Sequence, residues 1–132
     1  MPFHLSDNDQ MSSSLLDLKE HKRLFPQVSM VETVDVPCLT LDQFIDSTVI
    51  PFPDLLFLDV QGAEYMILES LSSKLLANLK AIYTEVSTVE VYQGGRTLDE
   101  IKRLLYPIFE FVGYQPCMQG IEEHGDALFL KV

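Results

Sequence analysis

The sequence predicts an α/β fold in which helices link the strands of a mainly parallel sheet and an antiparallel hairpin ends the chain. Three observations predict it. The stretch "LLFLDVQGAEYMILESL", residues 55 to 71, begins as a buried strand, stops at an acid, turns through a glycine and continues as a helix. Strand-like and helix-like runs then alternate towards the carboxyl end, as right-handed crossovers require. The 132 residues are 47% hydrophobic, enough to bury a core, and residues 1 to 132 read as a single domain.

Residues 1 to 30 are the least regular: "SDNDQMSSS" is a polar loop, "LLDLKEHKRLF" is mixed, and Pro26 breaks the run. "MVETVDV" alternates as a half-buried strand does. In "TLDQFID" Thr40 and Gln43 stand at the spacing of a capping box, which predicts a short helix from Leu41 to Asp46. "LLFLDV", apolar on both faces, reads as a central parallel strand. After Gly62, Met66, Ile67 and Leu71 fall near one helical face, and "SSKLLANL" continues or restarts that helix. "AIYTEVS" is a second core strand.

In "TLDEIKRLLYPIFEFVG" Thr97 and Glu100 form another capping pair, and Leu98, Ile101, Leu105, Ile108 and Val112 recur at helical spacing. Pro107 is expected to kink this helix and Gly113 to end it. "YQPCMQ" and "DALFLKV", joined by the polar "GIEEHG", form the closing hairpin.

Nine Lys plus Arg against 20 Asp plus Glu give a formal charge of −11, which repels nucleic-acid phosphates and anionic membranes, so neither is an expected partner. No apolar run of about 18 residues suggests a membrane span, and "MPFHLSDNDQ" lacks the layout of a signal peptide, so the expected location is cytoplasmic. Cys38 and Cys117, far apart in apolar contexts, read as buried free thiols rather than a disulfide or a metal site.

Ligands of α/β sheets sit beyond the carboxyl ends of the strands, where Asp59, Glu85, His124 and Asp126 fall. A carboxylate such as Asp59 can there bind a cation, accept a proton or accept hydrogen bonds from a ligand, and Gly62 removes a side chain that would crowd it. Asp59 can equally cap the next helix by accepting from the amides of Gln61 to Ala63, while Glu64 suits the helix dipole. Glu85 points to the same sheet edge, or is simply solvated. His124 reads as a residue of a polar turn, ordinary when alone and of more interest beside Asp126. Gly94, Gly95 and Arg96 form either an anion site or a plain loop, and Tyr92 with "YQGG" forms a lid. The absence of G-x-x-x-x-G-K-[ST] and of G-x-G-x-x-G excludes a P-loop and a dinucleotide fingerprint within these residues.

Taken together, "LLFLDVQGAEYMILES", "AIYTEVSTVEVYQGGRTLDEI" and "HGDALFLKV", preceded by "LSDNDQMSSSLL" and "VPCLTLDQFI", resemble the FkbM-like methyltransferases over nearly the whole chain. The resemblance implies a partial Rossmann-like class I methyltransferase sheet with a terminal antiparallel hairpin. It also implies S-adenosylmethionine as cofactor and a small-molecule or glycan hydroxyl as methyl acceptor. Asp59 would lie beside the transferred methyl group and the acceptor hydroxyl, Gln61 and Glu85 would line the same pocket, and His124 would be a secondary base. The loop from Ser6 to Ser14 would lie on the adenine or acceptor side, which makes Ser6 and Asp7 cofactor-binding candidates with Asp59 and Gln61. The family's amino-terminal part, with its glycine-rich turn and acidic strand end, has no counterpart here. The expectation is therefore a carboxyl-terminal half, truncated at its amino terminus and completed by a homodimer or by a missing N-terminal partner.

Two other readings stand beside this one. "PDLLFLDVQ" also resembles the phosphoacceptor strand of receiver domains, with Thr84 or Ser87 as the hydroxyl residue of the next strand, although the early acidic pair and the downstream Lys-Pro are missing. A non-catalytic binding or assembly protein of the same fold is the third.

Overall fold

The computed structural model covers residues 1–132 and contains strands and helices in mixed order. They are β1 (Pro2–Ser6), α1 (His21–Leu24), β2 (Met30–Asp35), α2 (Leu41–Asp46), β3 (Leu55–Leu58), α3 (Glu64–Ser70) and α4 (Ser73–Asn78). β4 (Ala81–Ser87), α5 (Leu98–Leu105), β5 (Phe109–Met118) and β6 (Ile121–Lys131) follow. The main sheet has the order β3-β4-β6-β5, with β3 and β4 parallel and β6 antiparallel to both of its neighbours.

Alternation along the strands sorts side chains between two faces. Leu56, Leu58, Ile82, Val86, Ala127 and Phe129 point to the face covered by the helices, where they meet Leu68, Leu75, Leu79, Leu98, Ile101 and Leu105. The opposite face carries Leu55 and Phe57, 56% and 60% exposed, with Phe57 stacked on Tyr83 at 5.3 Å between ring centroids. β3 is thus the edge strand of this sheet and is covered on one face, not the central strand that its apolar run predicts.

Both capping boxes form. Thr40 accepts from the Gln43 amide while Gln43 returns a bond to the Thr40 amide, and Thr97 and Glu100 do the same at the start of α5. The segment after Gly62 is two helices: Ser72 accepts from the Leu75 amide at 3.1 Å and starts α4 anew. Within α3, Leu68 is buried whereas Met66 is exposed.

Three expectations are corrected in the carboxyl-terminal third. α5 stops at Leu105 rather than running to Gly113, because the residue before a proline disfavours helical geometry and Phe109, Glu110, Phe111 and Gly113 pair with β6 instead, with Val112 bulged out of the register. The hairpin is longer than expected, turning tightly at Gln119 and Gly120, so His124 belongs to a strand and not to a polar turn. Cys38 and Cys117 are free as expected but exposed rather than buried, Cys38 following β2 and Cys117 near the tip of β5.

The amino-terminal region forms an arm the sequence did not announce. β1 pairs antiparallel with β2, a strand more exposed than half-buried. The chain between them packs Leu18 and Val28 on Val91 and Tyr92, and the Lys19 and His21 amides donate to the Val91 carbonyl at 3.0 and 2.9 Å. This seals the carboxyl end of β4. No helix is long and apolar enough to cross a membrane.

Candidate functional site

The turn after β3 is built around Glu64, not around Asp59. Glu64 Oε1 accepts from the amides of Val60 and Gly62 at 3.0 and 3.3 Å, and the carboxyl group is buried under the turn it braces. Burial raises its pKa to about 7, against the lowering effect of those amide bonds, and the charge of Glu85 adds to the rise. Asp59 is thereby released from capping. It stands exposed, and its one hydrogen bond comes from Gln61 Nε2 to Oδ1 at 2.5 Å.

Gln61 and Gly62 both take positive φ, +52° and +97°. Gly62 is required less by a ligand than by Tyr92: a Cβ at this position would lie 2.7–2.8 Å from the Tyr92 ring. That ring is only 2% exposed and packs against His21 as well. Tyr92 is therefore a wall of the site rather than a lid. Its hydroxyl donates to Gln61 Oε1 at 2.6 Å, and Gln61 Nε2 reaches Glu85 Oε2 at 3.3 Å.

From Glu85 the chain of contacts runs on to β6. Glu85 Oε1 lies 3.0 Å from His124 Nε2, and His124 Nδ1 lies 2.8 Å from Ser87 Oγ. Burial disfavours a charged His124, but the Glu85 bond and charge, with Glu64 and Asp126 further off, outweigh it and raise the imidazole pKa. Asp126 faces Glu85 across the strands.

Two spaces lie along this chain of contacts. Asp59 and Gln61 line a groove of about 770 Å³ between the amino-terminal arm and α2 and α3, with Phe3, Leu15, Leu41 and Met66 among its apolar walls. Glu85 and His124 line a separate small cavity of about 20 Å³, roughly the space of one water. Ser6 and Asp7 line neither. Ser6 Oγ donates to Asn8 Oδ1 at 2.6 Å and accepts from the Ser12 amide, and Asp7 Oδ1 accepts from the Ser29 amide at 2.9 Å, so both brace the loop that carries Ser13 to the groove.

Sequence reasoning missed His21, Tyr92's wall role and buried Glu64. His21 is 3% exposed, bonded through Nε2 to Ser12 Oγ at 3.1 Å, with Nδ1 unpaired. Burial, then the charge of His124, lowers its pKa. No spacing signal marks it, since it lies in the mixed segment before Pro26. The "GGR" loop resolves as a loop: Arg96 Nη1 donates to Glu100 Oε1 at 3.0 Å and lies over the Tyr65 ring.

An α/β protein that presents an acid from the end of a parallel strand beside a ligand-sized groove is the class that fold and site define. The chain belongs to the FkbM methyltransferase domain family, whose Methyltransferase FkbM domain matches residues 2–116. It is also similar to a protein of Sinorhizobium fredii (strain NBRC 101917 / NGR234) described as 2-O-methyltransferase NoeI, at 33% identity over 132 aligned positions. The alignment covers 96% of this chain and 52% of the relative, so the chain spans about half the relative's length. No solved structure matches. The phosphoacceptor reading gains no support, since Thr84 is fully buried with its hydroxyl on the Glu85 carbonyl and Ser87 is bonded to His124.

Proposed function

We propose that this chain forms the acceptor side of an S-adenosylmethionine-dependent O-methyltransferase of the class I, Rossmann-like kind, acting on a hydroxyl of a small molecule or glycan. The observation that carries the proposal is Asp59, an exposed carboxylate at a strand end, held by Gln61 and opening onto the 770 Å³ groove. The volume is within the range of about 300–1,000 Å³ usual for ligand sites. Family membership supports methyl transfer, and the printed description of the relative, a 2-O-methyltransferase, supports oxygen as its destination.

The residues fit part of the cofactor: a carboxylate beside apolar walls is the environment in which a sulfonium cation is stabilised. Asp59 and Gln61 would hold that part, with Ser13 also lining the groove and Ser6 and Asp7 acting through the loop they brace. When bound, S-adenosylmethionine supplies an electrophilic methyl group and a thioether leaving group. Asp59 orients the acceptor hydroxyl and takes its proton as the oxygen forms its new bond to carbon. Gln61 keeps the carboxylate aimed, and His124, bonded to Glu85 in the separate small cavity, supports that second carboxylate rather than reaching the acceptor. The apolar walls exclude water.

Calorimetric titration with S-adenosylmethionine and S-adenosylhomocysteine, on this chain and on a version extended to the relative's length, tests the reading. Saturable binding that brings Asp59 and Gln61 amide shifts supports it. Absence of binding to both versions would overturn it.

A further inference from the structure

Tyr92 is among the most buried side chains of the molecule, yet its hydroxyl ends in the middle of the site, 2.6 Å from Gln61 Oε1. The direction of that bond is dictated. Gln61 Nε2 lies 2.5 Å from Asp59 Oδ1 and 3.3 Å from Glu85 Oε2, and ionised carboxylates only accept. The NH₂ end must therefore face the acids, and the oxygen end must face a donor. Tyr92 is that donor.

Nothing else at the Oε1 end distinguishes the two ends of the carboxamide. The backbone supports the same arrangement: Gln61 is held at φ +52°, a conformation in which a side chain costs energy, and Ser14 Oγ donates to its carbonyl at 2.5 Å. A glycine would adopt this turn more readily, as Gly62 does next to it. The side chain of residue 61 is the feature the strained turn carries.

We infer that Tyr92 is a positioning residue: by donating to Gln61 Oε1 it holds the carboxamide nitrogen between Asp59 and Glu85 and so fixes the bearing of Asp59 towards the groove. The geometry stands apart from the proposed methyl transfer, but its effect on rate rests on that reading. Glu64, His124 and Arg96 line the adjoining small cavity, and none of them takes part in the carboxamide bonds of Gln61.

Tyr92→Phe tests it, because the ring still fills the space beside Gly62 while the donor is lost. At one fixed pH, carbon-detected NMR should show the Asp59 carboxyl signal displaced from its position in the unaltered protein. The Gln61 carboxamide protons should lose about tenfold or more of their protection from solvent exchange, in line with the loss of one hydrogen bond. Gln61→Leu, which removes the donor to Asp59 directly, should displace the same signal and guards against misfolding of Tyr92→Phe. An Asp59 signal unmoved by Tyr92→Phe, or by Gln61→Leu where Tyr92→Phe fails to fold, would overturn the inference, since a merely structural tyrosine would leave it in place. S-adenosylhomocysteine titration of the unaltered protein is the separate arm: failure there counts against methyl transfer, while the carboxyl signals decide the role of Tyr92.

Discussion

Glu85 Oε1 and His124 Nε2 meet at 3.0 Å across the antiparallel pair of β4 and β6, diagonally, since the residue directly opposite His124 is Ser87. Glu85 is the largest influence holding the imidazole charged against the cost of its burial. The His124 pKa is raised, so its contribution to stability is fully present below the unfolded value of about 6.5 and is lost as pH rises through the folded pKa. NMR titration of the ring should give a midpoint above 6.5. In Glu85→Gln burial is left with weaker opposition, and the midpoint should drop below that of the unaltered protein.

Glu64 titrates at about 7 in the folded chain against an ordinary 4.5. Because its folded pKa is raised, its share of stability is complete below about 4.5 and disappears as pH rises through about 7. Glu64→Gln keeps an oxygen to accept from the Val60 and Gly62 amides and removes the buried charge. Chemical denaturation should show it more stable than the unaltered chain at pH 8, by on the order of 3 kcal/mol, with the gain vanishing at pH 4.

Gly62→Ala combines a strained φ of +97° with a methyl group 2.7–2.8 Å from the Tyr92 ring. The ring cannot retreat, since Leu18, His21 and Val91 pack around it. A loss of about 2–4 kcal/mol in urea denaturation is expected.

Asp59→Asn should separate stability from activity. The side chain is exposed and has one partner, so the melting temperature should stay within about 2 °C of the unaltered value. Methyl transfer by the extended protein should fall by about 10² or more, the scale of a lost general base. Near-normal turnover would remove Asp59 from the chemistry.

Much of the frame was legible because it depends on short-range chemistry. Thr40 with Gln43 and Thr97 with Glu100 mark helix starts, since each pair satisfies amides within its own first turn. The strand-acid-glycine-helix run at 55 to 71 is equally local. The false continuation of α5 to Gly113 arose because Ile108 and Val112 fit a helical period, while pairing with β6 claimed that segment for a strand.

By itself the sequence determined the α/β class, the family pattern and the position of Asp59 at the end of β3, because strand length, turn glycine and capping are written in neighbouring residues. Only tertiary structure decided which groups meet Asp59. Gln61, Glu85, Tyr92 and His124 come from separate turns and strands, and their contact depends on sheet register and on the arm that seals Tyr92 over Gly62. Burial, which raises the Glu64 pKa to about 7 and gives His124 and Glu85 their small cavity, exists only once those distant segments pack.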